Sequence, residues 1–133
     1  MQEGHNTKLM LVDDDTFLLD MYGLKFKNKG FDICTFLKPD EALEHLKGGY
    51  TPDIIILDVI MPKMDGITML KEIRDHKIAP RATVIMLSNQ SQSEDIEKAE
   101  SLEIDGYIVK ALTIPSEVVD QVIKIHTKHK HKK

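Results

Sequence analysis

The chain is poor in cysteine: 133 residues hold one, Cys34. An internal disulfide is excluded, and the usage sits easily with a reducing cytoplasm. Cys34 stands in the apolar run FDICTF and reads as a small buried residue. No apolar run approaches the ~20 residues of a membrane span, so no membrane insertion is expected. The opening MQEGHNTK lacks the apolar stretch of a signal peptide. No repeat, linker or low-complexity segment divides the chain before residue 124. Acid is missing from the last ten residues, KIHTKHKHKK, which hold five lysines. The net charge of −4 therefore hides a body of −9 over the other 123 residues. A body that acidic speaks against nucleic-acid binding by the domain itself. The basic tail reads as a solvated extension of a last helix, with a docking or nucleic-acid segment, or the stub of a linker to an output domain, as the sharper alternative.

What is present is a globular composition, 41% hydrophobic and 30% charged, long enough for one domain with a sizeable core. Five apolar segments stand out: KLMLVD (8–13), FDICTF (31–36), DIIILD (53–58), TVIMLS (83–88) and DGYIVK (105–110). IIIL is apolar without alternation, as expected of a strand covered on both faces. Helical segments lie between and after them. Residues 16–28 place Phe17, Leu18, Met21, Leu24 and Phe26 near one face. Residues 39–47 open on Pro39 and acids, which suits a first turn. Residues 66–76 carry Ile67, Leu70 and Ile73. Ser91 and Glu94 have capping-box spacing. Pro115 precedes Val118, Val119, Val122 and Ile123. Strand then helix, five times over, implies an α/β fold: a five-stranded parallel sheet, doubly wound, with helices on both faces.

Ligands of such sheets bind beyond the carboxyl ends of the strands. The first segment runs into Asp13, Asp14 and Asp15. The third ends on Asp58, the fourth on Ser88 and the fifth on Lys110. Two carboxylates ~4 Å apart repel by roughly 4 kcal/mol at an effective dielectric of 20. Water, a counter-charge, a proton or a metal must offset that. Clustered hard oxygens suit Mg²⁺. Asp58 is the candidate nucleophile toward phosphorus, giving an aspartyl phosphate. Lys110 and Ser88 would neutralise and hydrogen-bond the phosphoryl oxygens. Asp15 reads as a helix cap outside the chemistry.

The pattern resembles the response-regulator receiver domain of two-component signalling, over about residues 8–126, with residues 1–7 as an extension and 127–133 as the basic tail. Asp13 and Asp14 match the acidic pair, and Asp58 in LDVIMPKMDG matches the phosphoacceptor. Met61, Pro62, Asp65 and Gly66 match the loop that follows. Ser88, Lys110 and the switch aromatic Tyr107 fall in place. The resemblance implies a flavodoxin-like strand order 2-1-3-4-5. It also implies Mg²⁺ held by Asp13, Asp14, Asp58 and the main-chain carbonyl of Ile60. A sensor histidine kinase or phosphotransfer protein would be the donor. An output domain or protein would read the face of helix 4, strand 5 and helix 5. The domain would catalyse only its own phosphorylation and dephosphorylation, and is not a turnover enzyme. Two neighbours depart from the pattern: Ala111 stands where the family has proline, and Asn89 where it has a small residue.

LMLVDDDTFLLD also resembles the D-x-D opening of haloacid-dehalogenase-type phosphatases, with Asp13 as nucleophile and Asp15 as general acid. Those enzymes need late strands ending in acids, and here they end in Ser88 and Lys110. A receiver-like domain that signals by contact alone would need a lost site residue, and none is lost.

Overall fold

A computed structural model gives the fold and describes residues 7–59, 61, 64–89, 93–110 and 113–131. Ile60, Pro62, Ser91 and Ala111, named above, lie outside the described residues. In chain order the elements are β1 (Lys8–Val12), α1 (Thr16–Asn28), β2 (Asp32–Phe36), α2 (Pro39–Lys47), β3 (Ile54–Leu57), α3 (Gly66–Asp75), β4 (Thr83–Ser88), α4 (Ser93–Ser101), β5 (Gly106–Val109) and α5 (Pro115–His131). The five strands form one parallel sheet in the order β2-β1-β3-β4-β5. This is the flavodoxin-like doubly wound fold.

Strand periodicity splits the core in two. Met10, Val12, Ile55, Leu57, Val84 and Met86 face α2, α3 and α4, which add Leu43, Leu46, Met69, Leu70, Ile73 and Ala99. Leu9, Leu11, Ile54, Ile56, Ile85, Leu87 and Ile108 face α1 and α5, which add Leu19, Tyr22, Phe26, Val118, Val119 and Val122. β1, β3 and β4 are sandwiched, so both faces of each must be apolar. Each large side chain so buried contributes about 1.5–3 kcal/mol. No described helix is long and apolar enough to cross a membrane.

Two expectations are corrected. The first concerns α1. Its core face is Leu19, Tyr22, Gly23 and Phe26, while Phe17 is 72% and Leu24 60% exposed. Both stripes satisfy helical spacing, so spacing alone does not choose between them. Phe26, common to both, packs edge-on to Phe31 at 5.3 Å, and Leu18 and Met21 pack at the margin of the same core; Gly23 chooses, since a Cβ there would meet the Thr35 methyl. The second concerns Cys34, which is only half-buried. β2 is an edge strand, and none of its five residues is fully buried.

Candidate functional site

The register aligns the ends of the strands. Val12 pairs with Leu57, Leu57 with Met86, and Ser88 with Val109. The residue after β1 is Asp13 and the residue after β3 is Asp58. The Asp58 amide donates to the Val12 carbonyl at 3.1 Å, which keeps the two aspartates abreast. Asp13 is 2% exposed and Asp58 is buried, while Asp14 faces solvent. One carboxylate oxygen from each of Asp13, Asp14 and Asp58 lies within 4.8 Å of the others. Asp13, Asp14, Asp15, Leu18, Asp58, Ser88, Asn89 and Lys110 line a pocket of ≈ 260 Å³.

Lys110, just beyond β5, reaches back between the buried acids. Its Nζ donates to Asp13 Oδ2 at 2.5 Å and to Asp58 Oδ2 at 3.1 Å. The Lys110 side chain is 7% exposed. The cation that the three acids call for is thus supplied in part by the chain itself. Burial pulls the Lys110 ammonium down. The hydrogen bond to Asp13 and the charges of Asp58 and Asp13 outweigh it, and the net direction is up. Burial pushes the Asp58 carboxyl up. Lys110 lowers it, Asp13 raises it again, and hydrogen bonds from Lys110 and Ser88 lower it; the net direction is up. Lys110 acts in the expected sense on Asp58, but burial is the larger effect.

Local geometry orients each group. Asp13 Oδ1 accepts from the Asp15 amide at 3.0 Å, which leaves Oδ2 for Lys110. Asp15 is the N-cap of α1 and accepts from the Leu18 amide at 3.2 Å. Its carboxylate is therefore engaged by the helix, as expected, and not by the buried acids. Asp65 caps α3 in the same way, accepting from Thr68 at 2.7 Å. Gly66 is needed for space: a Cβ there would overlap the Asp58 carbonyl oxygen. Ser88, the last residue of β4, is buried and hydrogen-bonded to Asp58. Tyr107 is half-buried, on the α3/α4 side of β5 and three residues from Lys110. Tyr22 was not foreseen. It lies buried under the site, its phenol pushed up by burial and touched by the charges of Lys110 and Asp13. A tyrosine inside a run of alternative apolar stripes carries no sequence signal for that place.

Asp15→Ala is expected to cost about 1 kcal/mol through the lost cap while leaving phosphorylation nearly intact. Urea denaturation and a phosphorylation assay on the same sample check both halves. Loss of phosphorylation would place Asp15 in the chemistry.

A doubly wound sheet whose carboxyl rim gathers three aspartates, a serine and a lysine defines an acid-rimmed α/β domain. Residues 9–122 match the response regulator receiver domain, and the chain belongs to that family. It is 32% identical over 115 residues to the alkaline phosphatase synthesis transcriptional regulatory protein PhoP of Bacillus subtilis, covering 85% of this chain and 45% of that protein. It is 32% identical over 121 residues to the chemotaxis protein CheY of Halobacterium salinarum, covering 90% of this chain and 97% of that one. A CheY-like receiver domain protein from Methanospirillum hungatei superposes with a TM-score of 0.86 over 96% of this chain and 99% of that one. At 20% identity that likeness speaks for the fold alone. The chain spans about half the length of several curated relatives it matches, PhoP included.

Proposed function

We propose that Asp58 is the phosphoacceptor of a two-component phosphorelay. A phosphohistidine on a sensor histidine kinase or phosphotransfer protein is the donor. An Asp58 oxygen attacks phosphorus, the P–N bond breaks, and its electron pair leaves on the imidazole, which takes up a proton. The observation that carries this reading is the placement of Asp58: buried at the pocket floor, within hydrogen-bond reach of Lys110 and Ser88, beside two further carboxylates. The donor set fits a hard divalent cation, being all carboxylate oxygen and only partly neutralised by Lys110. Asp13, Asp14 and Asp58 would hold Mg²⁺, with the Ile60 carbonyl as a further ligand. Bound there, the ion supplies charge neutralisation to the incoming phosphoryl group. Lys110 favours the ionised, attacking form of Asp58 and offers a full charge to the phosphoryl oxygens. Ser88 offers a movable hydrogen bond. The new charge and acceptor oxygens draw Ser88 inward and let Tyr107 turn, which alters the α4–β5–α5 face for an output domain or protein. The domain is read as cytoplasmic, acting on itself and not as a turnover enzyme.

The test is incubation with a small phosphodonor, with and without Mg²⁺, followed by location of the acyl phosphate. Wild type should label at Asp58 only when Mg²⁺ is present. Asp14→Ala should lose labelling while its fold, read by circular dichroism, survives. Normal Mg²⁺-dependent labelling of Asp14→Ala would sink the metal assignment.

Ser88→Ala separates chemistry from switching. A hydrogen bond to a charged acceptor is worth roughly 1.5–3 kcal/mol, so the variant should still label at Asp58 but change the Tyr107 environment less. Equal Tyr107 responses to a phosphate mimic in wild type and variant would remove Ser88 as the relay.

A further inference from the structure

At the opposite, amino end of the sheet, α5 is fastened by two histidines. His129 uses both ring nitrogens. Nδ1 lies 2.8 Å from Asp105 Oδ1, and Nε2 lies 3.0 Å from the Arg81 carbonyl oxygen. A carbonyl accepts only, and an ionised carboxylate accepts only. A neutral imidazole has one donor and one acceptor, so it can satisfy one of these partners and must face the other lone pair to lone pair. Both contacts are hydrogen bonds only when the bridge holds an extra proton. Asp105 cannot turn away to avoid the conflict, because its Oδ2 accepts from the Val84 amide at 2.8 Å and its own amide donates to the Val84 carbonyl. The bridge is only slightly open to water, with side chains 17% and 22% exposed.

We propose that His129, Asp105 and the Arg81 carbonyl form a proton-dependent latch that pins the last turn of α5 to the turns preceding β4 and β5. With the proton, α5 is held at two points. Without it, one contact becomes repulsive and the last turn is released. The latch engages only the helix end, because one turn earlier Ile125 is already seated on Gly106, where a Cβ would press into its side chain.

The neighbouring groups bear on the same bridge. His126, one turn earlier, pairs with the buried Thr83 hydroxyl at 2.7 Å. Burial pushes the His126 imidazole down; Lys130 and His129 add to that, and Asp53 and Asp105 oppose it. Asp53 comes from the turn before β3, Asp105 from the turn before β5, and Lys130 from α5 itself. None belongs to the Asp58 pocket, so this latch and the phosphoacceptor reading stand or fall separately.

The test is a titration of the full chain between about pH 5 and pH 8, the range in which histidine charge ordinarily changes. Two signals are followed by NMR: the His129 ring nitrogens and the backbone Cα shifts of residues 127–131. In wild type both ring nitrogens should be protonated at the acid end. As that signal titrates, the Cα shifts should move from helix toward coil with the same midpoint. H129Q should show coil-ward shifts at every pH. D105N is the rescue: its amide N–H can donate to a neutral Nδ1 while Nε2–H donates to Arg81. D105N should therefore stay helical at the alkaline end. Cα shifts of wild type that do not move with pH would overturn the latch. So would a D105N variant that loses helix with the same midpoint as wild type.

Discussion

Asp58→Asn is expected to end acyl-phosphate formation and to raise the melting temperature of the metal-free protein. The first effect follows from the loss of a carboxylate hydrogen-bonded to both Lys110 and Ser88. The second follows from what holds Asp58 in the fold. Burial raises its carboxyl above the usual carboxylate range, and Lys110 does not fully compensate. A carboxyl raised in the folded state binds its proton more tightly there than in the unfolded chain. Stability therefore falls as pH climbs past the unfolded value, about 3.9, and levels off above the folded one. Asparagine removes that window and leaves Lys110 paired with Asp13. Melting curves of wild type and Asp58→Asn without metal should accordingly converge in acid and separate toward neutral pH, with the variant higher. Mg²⁺ should stabilise wild type more than the variant. A variant that melts lower than wild type at neutral pH, or that still labels, would show that Asp58 is not the strained acceptor.

The strand ends were legible for a physical reason. Where an apolar run that must be buried stops, the next residue sits at the sheet rim, so Asp13, Asp58, Ser88 and Lys110 could be placed by counting. The start of α2 at Pro39 was legible because proline tolerates only the first turn. The face of α1 was not, because two stripes of suitable spacing compete, and the choice rests on Thr35 in the next strand. Tyr22 was hidden for the same reason. Contacts between distant turns leave even less trace. The bridge from Lys110 to Asp13 spans 97 positions, and the sequence put Lys110 on the same rim without pairing it with Asp13. His129 and Asp105 are 24 positions apart, and in a run of histidines and lysines nothing distinguishes the imidazole that faces inward.

Lys110→Ala is expected to destabilise the metal-free protein by about 3–5 kcal/mol, the range for removing one partner from a buried ion pair. Lys110 bridges two buried carboxylates at once, Asp13 at 2.5 Å and Asp58 at 3.1 Å. Its loss leaves both acids in low dielectric, facing one another and without their shared donor. Asp13 keeps the Asp15 amide and Asp58 keeps Ser88, neither of which carries a charge. Three consequences separate this account from a mere packing defect. Acidification should restore part of the loss, because protonating either acid removes the repulsion. Mg²⁺ should restore more, since a ligand at 100 times its Kd adds about 2.7 kcal/mol. Finally, Asp58→Asn placed on top of Lys110→Ala should recover stability, so that the double variant melts above the single one. Urea denaturation at two pH values, with and without Mg²⁺, reads all three. If Lys110→Ala loses the same stability in every condition and gains nothing from Asp58→Asn, the lysine is a packing element and not the counter-charge of the acidic rim.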